Sequence, residues 1–240
     1  MVNLVFSTSR RLELFKDTLN SFMQYNCDIN NLIEKVYILD DRSTDEDRKI
    51  IRQLVLSYFP NKTHLVTFDN NNSFGYVDKF NFLKTLSSET KYTLYIEDDF
   101  RSIYPLNLTH HLEYLESNPE IDQIVLCENF WIQDEDIKQK TSINETYWDH
   151  LKVDLYKHIY DFTIGNNSEI SYIWLLANPI FTLTPSLNRN TLYSRGTFNP
   201  IFDYEGDFSN QVKAQTIVTK NSHFVHTGAS NSIRNVKWGN

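Results

Sequence analysis

Five short strand-like runs alternate with longer helix-like segments in the first 127 residues, and this alternation constrains the fold more than any other feature. The runs are β-branched, aromatic or aliphatic and lie at 3–6, 36–39, 64–68, 93–96 and 124–127. Between them, apolar residues recur at three- and four-residue steps, the period of an amphipathic helix. Strands alternating with helices form crossovers, so we predict an α/β fold with a mostly parallel sheet covered on both faces.

The helices of this pattern have identifiable starts. Ser43 or Thr44 is a suitable N-cap for the helix after the second strand. We interpret Asp45, Glu46 and Asp47 as first-turn residues that complement the positive end of the helix dipole. The other predicted helices lie at 11–25, 80–86, 108–115 and 203–214.

The second half of the chain is less regular. One or two strands are expected in 172–184, and single strands at 215–218 and 223–225. The segment 129–165 is rich in charged and aromatic residues, and we interpret it as an extended excursion or lid. Because no repeat and no clear linker is visible, we predict a single domain over residues 1–240.

Composition excludes several classes of protein. An apolar fraction of 40% is typical of a folded globular chain, and no apolar run approaches the length of a transmembrane helix. The first apolar segment has no basic region before it, and Cys27 and Cys127 lack metal-site spacing, so we expect a cytoplasmic location. A net charge of −8 without a basic patch argues against nucleic acid as a partner.

Two acidic groups follow predicted strands. Asp40 and Asp41 follow the second strand, and Glu97, Asp98 and Asp99 follow the fourth. Ligands of open α/β sheets bind outside the carboxyl ends of the strands, where carboxylates suit Mg²⁺ or Mn²⁺ held together with substrate phosphates. Solvated loop residues or helix caps are the alternative.

The three adjacent carboxylates repel one another, so an opposite charge is expected nearby. Arg101 is one source of that charge in the sequence, and a bound cation is the other. We therefore predict a metal-supported site for a nucleoside diphosphate.

Three segments resemble, in order and spacing, motifs of the GT-A glycosyltransferases of family 2 type. STSRRLELFKDTLNSF is similar to their first strand-to-helix segment, VYILDDRSTDED to their vDDgStD segment, and YIEDDF to their DXD motif. The resemblance covers about the first hundred residues and thins beyond Cys127. It implies a GT-A fold, with a nucleotide-sugar-binding half at 1–127 and an acceptor-binding half at 128–240.

The resemblance also implies an activity. A Mn²⁺- or Mg²⁺-dependent enzyme would move a sugar from a nucleoside-diphosphate sugar to a hydroxyl of a glycan, a protein or a lipid-linked acceptor. The alternatives are a sugar-phosphate nucleotidyltransferase and an inactive nucleotide-sugar-binding module. The first is disfavoured because FSTSRRLELF has no glycine after the first strand, and the second because the metal and base acids are present.

Matching positions assign donor-binding residues. By resemblance, Ser7, Thr8 and Arg10 flank the base or ribose, Asp41 contacts it, and Asp40 assists. Gly75, Lys79 and Asn81 match the segment that passes beside the sugar nucleotide, although Lys79 could instead be an exposed helix lysine. Arg234, or Lys237 beyond it, would meet the diphosphate.

The metal and base positions follow in the same way. Glu97 and Asp99 take the outer positions of the DXD pattern, with Asp99 the principal metal ligand. A glutamate at position 97 departs from the commonest pattern, so a ribose contact or a water-mediated contact is the alternative for Glu97. For Asp98, a contact with the donor and a supporting role both stay open. His226 would complete the metal site, with a structural histidine as the alternative.

Residues 203–211, DYEGDFSNQ, resemble the ED segment that supplies the base of inverting members. This implies Asp207 as base with Glu205 next, and a purely structural acidic helix start is the alternative. The candidates for an aromatic acceptor platform are Trp131, Trp148, Trp174 and Phe202.

Overall fold

The strands form one large sheet and one small one. The computed structural model describes residues 1–69, 75–127, 158–160, 172–174, 181–201, 204–219 and 222–228. Within these ranges the strands are β1 Val2–Thr8, β2 Ile33–Asp41, β3 Thr63–Phe68, β4 Tyr92–Glu97, β5 Phe100–Ser102, β6 Gln123–Val125, β7 His158–Tyr160, β8 Tyr172–Trp174, β9 Ser186–Arg189, β10 Thr216–Thr219 and β11 Phe224–His226.

The helices pack on both faces of the large sheet. They are α1 Leu12–Tyr25, α2 Asp45–Tyr58, α3 Gly75–Phe82, α4 Leu108–Ser117, α5 Asn190–Ser194 and α6 Tyr204–Val212, with 3₁₀ segments at Cys27–Asn31 and Leu83–Ser88. Thr44 is the N-cap of α2, and its hydroxyl accepts a hydrogen bond from Asp47 N at 3.1 Å. None of the helices in the described ranges combines the length and apolar composition needed to cross a bilayer.

The large sheet has the order β3-β2-β1-β4-β9-β6-β10-β8-β7. β1 pairs in parallel with β2 and β4, and β2 with β3, whereas β9 enters antiparallel between β4 and β6. This arrangement confirms the predicted α/β fold with a mostly parallel sheet. The strand order reverses between β1 and β4, which is where open α/β sheets bind ligands.

Alternate residues of β1 point to the two faces of the sheet. Leu4 and Phe6 join a cluster with the α1 residues Phe15 and Phe22, whereas Val5 joins the cluster on the other face. That second cluster includes α3, α5 and α6 residues. Because strand side chains alternate, both layers are held against the strand that ends at the switch point.

Strands β5, β7 and β9 and helix α5 were not predicted. The inward residues of β9 are polar. Gln123 Nε2, on the neighbouring strand β6, donates to Asn188 Oδ1 at 2.8 Å and to Ser186 Oγ at 3.3 Å, and all three side chains are buried. Hydrogen bonds replace apolar contacts in this part of the sheet, so the hydrophobic pattern of a strand is missing. β5 has only three residues and pairs with β11.

Candidate functional site

Asp98 is the most firmly held acid at the switch point. Its carboxylate accepts hydrogen bonds from Thr8 Oγ1 at 2.8 Å, from Ser9 N at 3.2 Å and from Arg11 Nε at 3.2 Å, and Arg11 Nη2 bonds its other oxygen. The side chain is fully buried. Burial raises the pKa of Asp98 to about 6, and Arg11 opposes the rise. Asp98 is therefore occupied by protein groups.

The backbone of the same residue is also fixed. Asp98 N donates to Ser7 O at 3.0 Å, and Thr18 Oγ1 of α1 donates to Asp98 O at 2.8 Å. Since Ser7 pairs with Glu97 in the β1–β4 register, β1, α1 and the acidic loop form one connected unit.

Asp99 has one occupied and one open carboxylate oxygen. Arg11 Nη1 donates to Oδ2 at 2.7 Å, and His226 Nε2 lies 3.4 Å from the same oxygen. Oδ1 is buried and, among the described residues, accepts no hydrogen bond. Burial alone would raise the pKa of Asp99, but His226 and Arg11 outweigh it and hold the pKa below its ordinary value.

The last described segment of the chain is attached to Asp99. Thr227 donates to Asp99 O through its backbone N at 2.7 Å and its hydroxyl at 3.1 Å. A Cβ on Gly228 would lie 2.4 Å from Asp99 Cβ, closer than such atoms approach. The ring of His226 lies 4.9 Å from that of Phe100. The strand β11 and the two residues after it therefore fit closely around Asp99.

Lys79 places a cation beneath the acids. It is only 5% exposed, which excludes its interpretation as an exposed helix lysine. Its Nζ donates to Ser7 Oγ at 2.9 Å and to Thr8 O at 3.4 Å. Burial lowers the pKa of Lys79, while Asp98, Asp41 and Glu97 oppose the change.

Glu97 differs from the two aspartates that follow it. The Tyr95 hydroxyl donates to Glu97 Oε1 at 3.5 Å. Burial raises the pKa of Glu97 well above its ordinary value, and Asp99 and Glu205 add to the rise. Glu205 therefore lies close enough to Glu97 to influence the pKa of Glu97.

Asp41 lies in a tight enclosure at the end of β2. Arg42 Nε donates to its Oδ1 at 2.7 Å, and Ser9 Oγ donates to its backbone oxygen at 3.0 Å. A Cβ at Gly75 would lie 2.1 Å from Asp41 Oδ1, so a glycine is needed there. Arg42 has a φ of 60°, an uncommon backbone conformation for a residue other than glycine.

Asp40 points away from Asp41, as neighbouring strand residues do. Its Oδ2 accepts from Arg48 Nε at 2.7 Å and from Ser43 N at 3.2 Å, and its side chain is fully buried. Arg48 also pairs with Asp69. The structure thus ties Asp40 to the turn before α2 and does not bring it together with Asp41.

Two further predicted residues connect loops. Arg10 is exposed, and its backbone N donates to Ser43 Oγ at 2.9 Å, joining the loops after β1 and β2. The Asn81 amide donates to Phe198 O and accepts from Phe198 N, each at 3.0 Å. Both functional groups of Asn81 are therefore used within the protein.

The two acids of α6 have different surroundings. Leu183 N donates to Glu205 Oε1 at 3.1 Å. Asp207 Oδ2 accepts from Asn199 Nδ2 and from Gln211 Nε2, each at 2.7 Å. Glu205 raises the pKa of Glu97, so its carboxylate lies near the acidic loop.

Asp99 and His226 are the predicted metal ligands that the fold brings into contact, with His226 Nε2 3.4 Å from Asp99 Oδ2. In the described ranges, no three His, Cys, Asp or Glu side chains are placed so that they could hold one metal ion, so Glu97, Asp99 and His226 do not form a three-residue group. Asp99 Oδ1, which is buried and accepts no hydrogen bond from the described residues, has the chemistry to bind an ion that takes its other ligands from phosphate and water.

The chain itself supplies much of the positive charge that the sequence appeared to lack. Arg11 and Lys79 face the acids, whereas Arg101 is exposed. Sequence reasoning missed Arg11; its position directly after β1, the neighbour of β4, is the signal that could have identified it. Predictions for Trp131, Trp148, Phe202, Arg234, Lys237 and the side chain of Trp174 lie outside the described residues.

Comparison by sequence finds no matching family model and no matching curated protein. Comparison by structure does find similar folds. TarS residues 1–349 from S. aureus superimposes with a TM-score of 0.58 at 14% identity, covering 95% of this chain and 60% of that one. The mannosyltransferase PcManGT from Pyrobaculum calidifontis, in complex with GDP-Man and Mn²⁺, gives 0.58 at 14% identity, covering 91% and 55%.

A third structure is glucosyl-3-phosphoglycerate synthase from Mycobacterium tuberculosis with Mn²⁺, UDP and phosphoglyceric acid. Its TM-score is 0.54 at 11% identity, covering 94% of this chain and 70% of that one. This chain thus spans less than two thirds of the TarS fragment and little more than half of PcManGT. At such low identity the similarity establishes the architecture, and the chain has the GT-A fold of nucleotide-sugar glycosyltransferases.

Proposed function

We propose that this protein transfers a sugar from a nucleoside-diphosphate sugar to an acceptor hydroxyl. The observation that carries the proposal lies at the switch point of a GT-A sheet, where Asp99 Oδ1 is buried without a hydrogen-bond partner among the described residues and His226 lies beside the other oxygen of the same carboxylate. A buried carboxylate oxygen without a protein partner is costly unless a ligand satisfies it.

The donor would lie across the ends of β2, β1 and β4. Asp41, enclosed by Gly75 and Arg42, is the contact for the base or ribose, and Ser7 and Thr8 form the floor between it and the acids. PcManGT holds GDP-Man and Mn²⁺, and the mycobacterial synthase holds UDP and Mn²⁺. The shared fold supports a donor of the same class here.

Asp99 and His226 are the residues that would hold Mn²⁺ or Mg²⁺. A cation bound there supplies Lewis-acid stabilisation of the charge that grows on the leaving diphosphate. Lys79, buried beneath the acids, adds fixed positive charge from the protein.

We assign the base to the first turn of α6. Glu205 is the acid that acts on Glu97, which favours it over Asp207. A carboxylate there would take the proton of the acceptor hydroxyl as that oxygen attacks the anomeric carbon opposite the diphosphate, which inverts the configuration. Tyr76 and Tyr204, with rings 4.8 Å apart, offer an aromatic surface for an acceptor sugar beside Glu205.

The test is a transfer assay with UDP-, GDP-, CDP- and dTDP-sugars and a panel of glycan acceptors, with Mn²⁺ or with EDTA. We expect one donor to yield product of inverted anomeric configuration, in a reaction that EDTA abolishes. Glu205→Gln should lower turnover by about 10² or more while the donor still binds, and Asp207→Asn should lower it less.

The opposite order for the two variants would return the base to Asp207. Retention of configuration would contradict the mechanism. Binding of a nucleotide sugar without any transfer would favour the inactive binding module, and formation of a nucleotide sugar from a nucleoside triphosphate and a sugar phosphate would favour the nucleotidyltransferase.

A further inference from the structure

Arg11 makes an unusual set of contacts with the acidic loop. Nε and Nη2 bond the two oxygens of Asp98, and the remaining nitrogen, Nη1, donates to Asp99 Oδ2 at 2.7 Å. The residue stands at the N-cap position of α1, but its side chain makes no capping bond there. All three side-chain nitrogens of Arg11 are thus directed at two adjacent carboxylates.

These contacts determine how Asp99 is oriented. Thr8 and Ser9 fix the Asp98 carboxylate, and that carboxylate fixes the plane of the guanidinium by a two-pronged bond. The guanidinium then occupies Oδ2 of Asp99, so that Oδ1 is the oxygen that stays open. A lysine at this position would supply the positive charge but not the planar pair of N–H donors that makes the two-pronged bond.

The contacts also determine the charge of the site. Arg11 forms ion pairs with both Asp98 and Asp99, and a guanidinium keeps its positive charge in proteins. It cancels one of the negative charges that would attract a free cation. A cation would therefore be held well only when a diphosphate brings additional oxygen ligands and charge.

We propose that Arg11 is a positioning residue that presents Asp99 Oδ1 to the metal and keeps the metal site weak until the diphosphate arrives. The inference rests on the proposed function, which assigns Asp99 to the metal. Arg11 would thereby act through Asp99 without contacting the donor itself.

The test compares wild type, Arg11→Met and Arg11→Lys by loss of the free Mn²⁺ electron paramagnetic resonance signal, with and without the nucleoside diphosphate that wild type prefers. Arg11→Met removes the positive charge, so this variant should bind Mn²⁺ alone more tightly than wild type. It also removes the two-pronged bond that orients Asp99, so nucleotide binding should need about 10- to 100-fold more Mn²⁺. Arg11→Lys keeps the positive charge, so it should bind Mn²⁺ alone like wild type. Because it lacks the two-pronged bond, it should need more Mn²⁺ for nucleotide binding, as Arg11→Met does.

The control is Arg195→Met, which removes an arginine–aspartate pair, with Asp122 at 2.7 Å, outside the site. It should leave both Mn²⁺ measurements unchanged, and urea unfolding of all variants reports their stability. A merely structural Arg11 would lower stability without strengthening the binding of Mn²⁺ alone.

Wild-type protein that binds no nucleoside diphosphate with Mn²⁺ would overturn the proposed function and this inference with it. Wild-type protein that binds normally, with Arg11→Met and Arg11→Lys indistinguishable from it in both measurements, would overturn the inference alone.

Discussion

Asp98 and Asp99 are neighbours in the chain with opposite surroundings. Asp98 is surrounded by donors from β1, the loop after it and Arg11. Asp99, in contrast, has one buried oxygen that accepts no hydrogen bond from the described residues, and His226 lies beside its other oxygen. Partners decide what each carboxylate can do, because a fully bonded acid has no remaining oxygen for a ligand. At the scale of single residues, protein groups bind the carboxylate of Asp98, whereas Asp99 has an oxygen available for a ligand.

Gly228 provides a test of how tightly Asp99 is enclosed. Its substitution by alanine would put a Cβ 2.4 Å from Asp99 Cβ, so the carboxylate or the segment around Thr227 must move. We expect Gly228→Ala to raise the Mn²⁺ concentration needed for half-maximal transfer by about tenfold.

Gly196→Ala is the matched control, because its Cβ would meet Val212 Cγ1 at 2.6 Å in the core, away from the acids. It should lower the melting temperature without changing the Mn²⁺ requirement. An unchanged requirement in Gly228→Ala would contradict the close fit.

The roles of single residues were predictable only where they follow from the local pattern of strands and helices in the sequence. The strand-end position of Asp41 and Asp99 follows from the alternation of strands and helices. The separation of Asp40 from Asp41 follows from strand geometry alone and could have been foreseen. The role of Arg11 depends on a contact between segments 87 residues apart, which no local pattern reports.

At the scale of elements, β1 organises the site. It pairs with β2 and β4, its last residues face Asp40 and Glu97 in register, and α1 returns to bond the acidic loop through Thr18. These elements were predicted because each has a clear apolar period. β9 was not, because polar pairs such as Gln123 and Asn188 replace that period with hydrogen bonds.

Helix α4 gives the fold a pH dependence. His111 is fully buried, with the ring of His223 at 5.5 Å and that of His110 at 6.1 Å. Burial, then His223 and His110, lowers the pKa of His111 to about 3. The unfolded chain, with a histidine pKa of about 6.5, therefore binds a proton that the folded chain excludes.

The contribution of His111 to the free energy of unfolding is therefore fully present above the unfolded pKa of about 6.5 and is lost progressively as the pH falls towards 3. At pH ~5 the loss is about 2 kcal/mol. Urea unfolding at neutral pH and at pH ~5 measures the loss, and His111→Gln should show a smaller loss than wild type. An equal loss in both proteins would show that other groups cause it.

At the scale of the whole molecule, the charges are distributed unevenly. The chain has 23 basic and 31 acidic residues, yet Arg11, Arg42, Arg48 and Lys79 gather where β1, β2 and β4 end. These cations balance the acids from within the protein. The metal that we propose would be one further contributor to that balance.

The GT-A architecture was predictable because it depends on a repeating pattern and a few strand-end motifs. Identities of 11–14% to solved structures with the same fold show how little else is needed to specify it. The second half of the chain was less predictable, since its described strands and helices are short.

The most direct test of the central claim is isothermal titration of the protein with UDP, GDP, CDP and dTDP, in Mn²⁺ and in EDTA, repeated with Asp99→Asn. We predict that one nucleoside diphosphate binds in a one-to-one complex, and that its affinity falls by about tenfold or more in EDTA and in Asp99→Asn. Binding of that nucleotide with equal affinity under all three conditions, or binding of none, would contradict it.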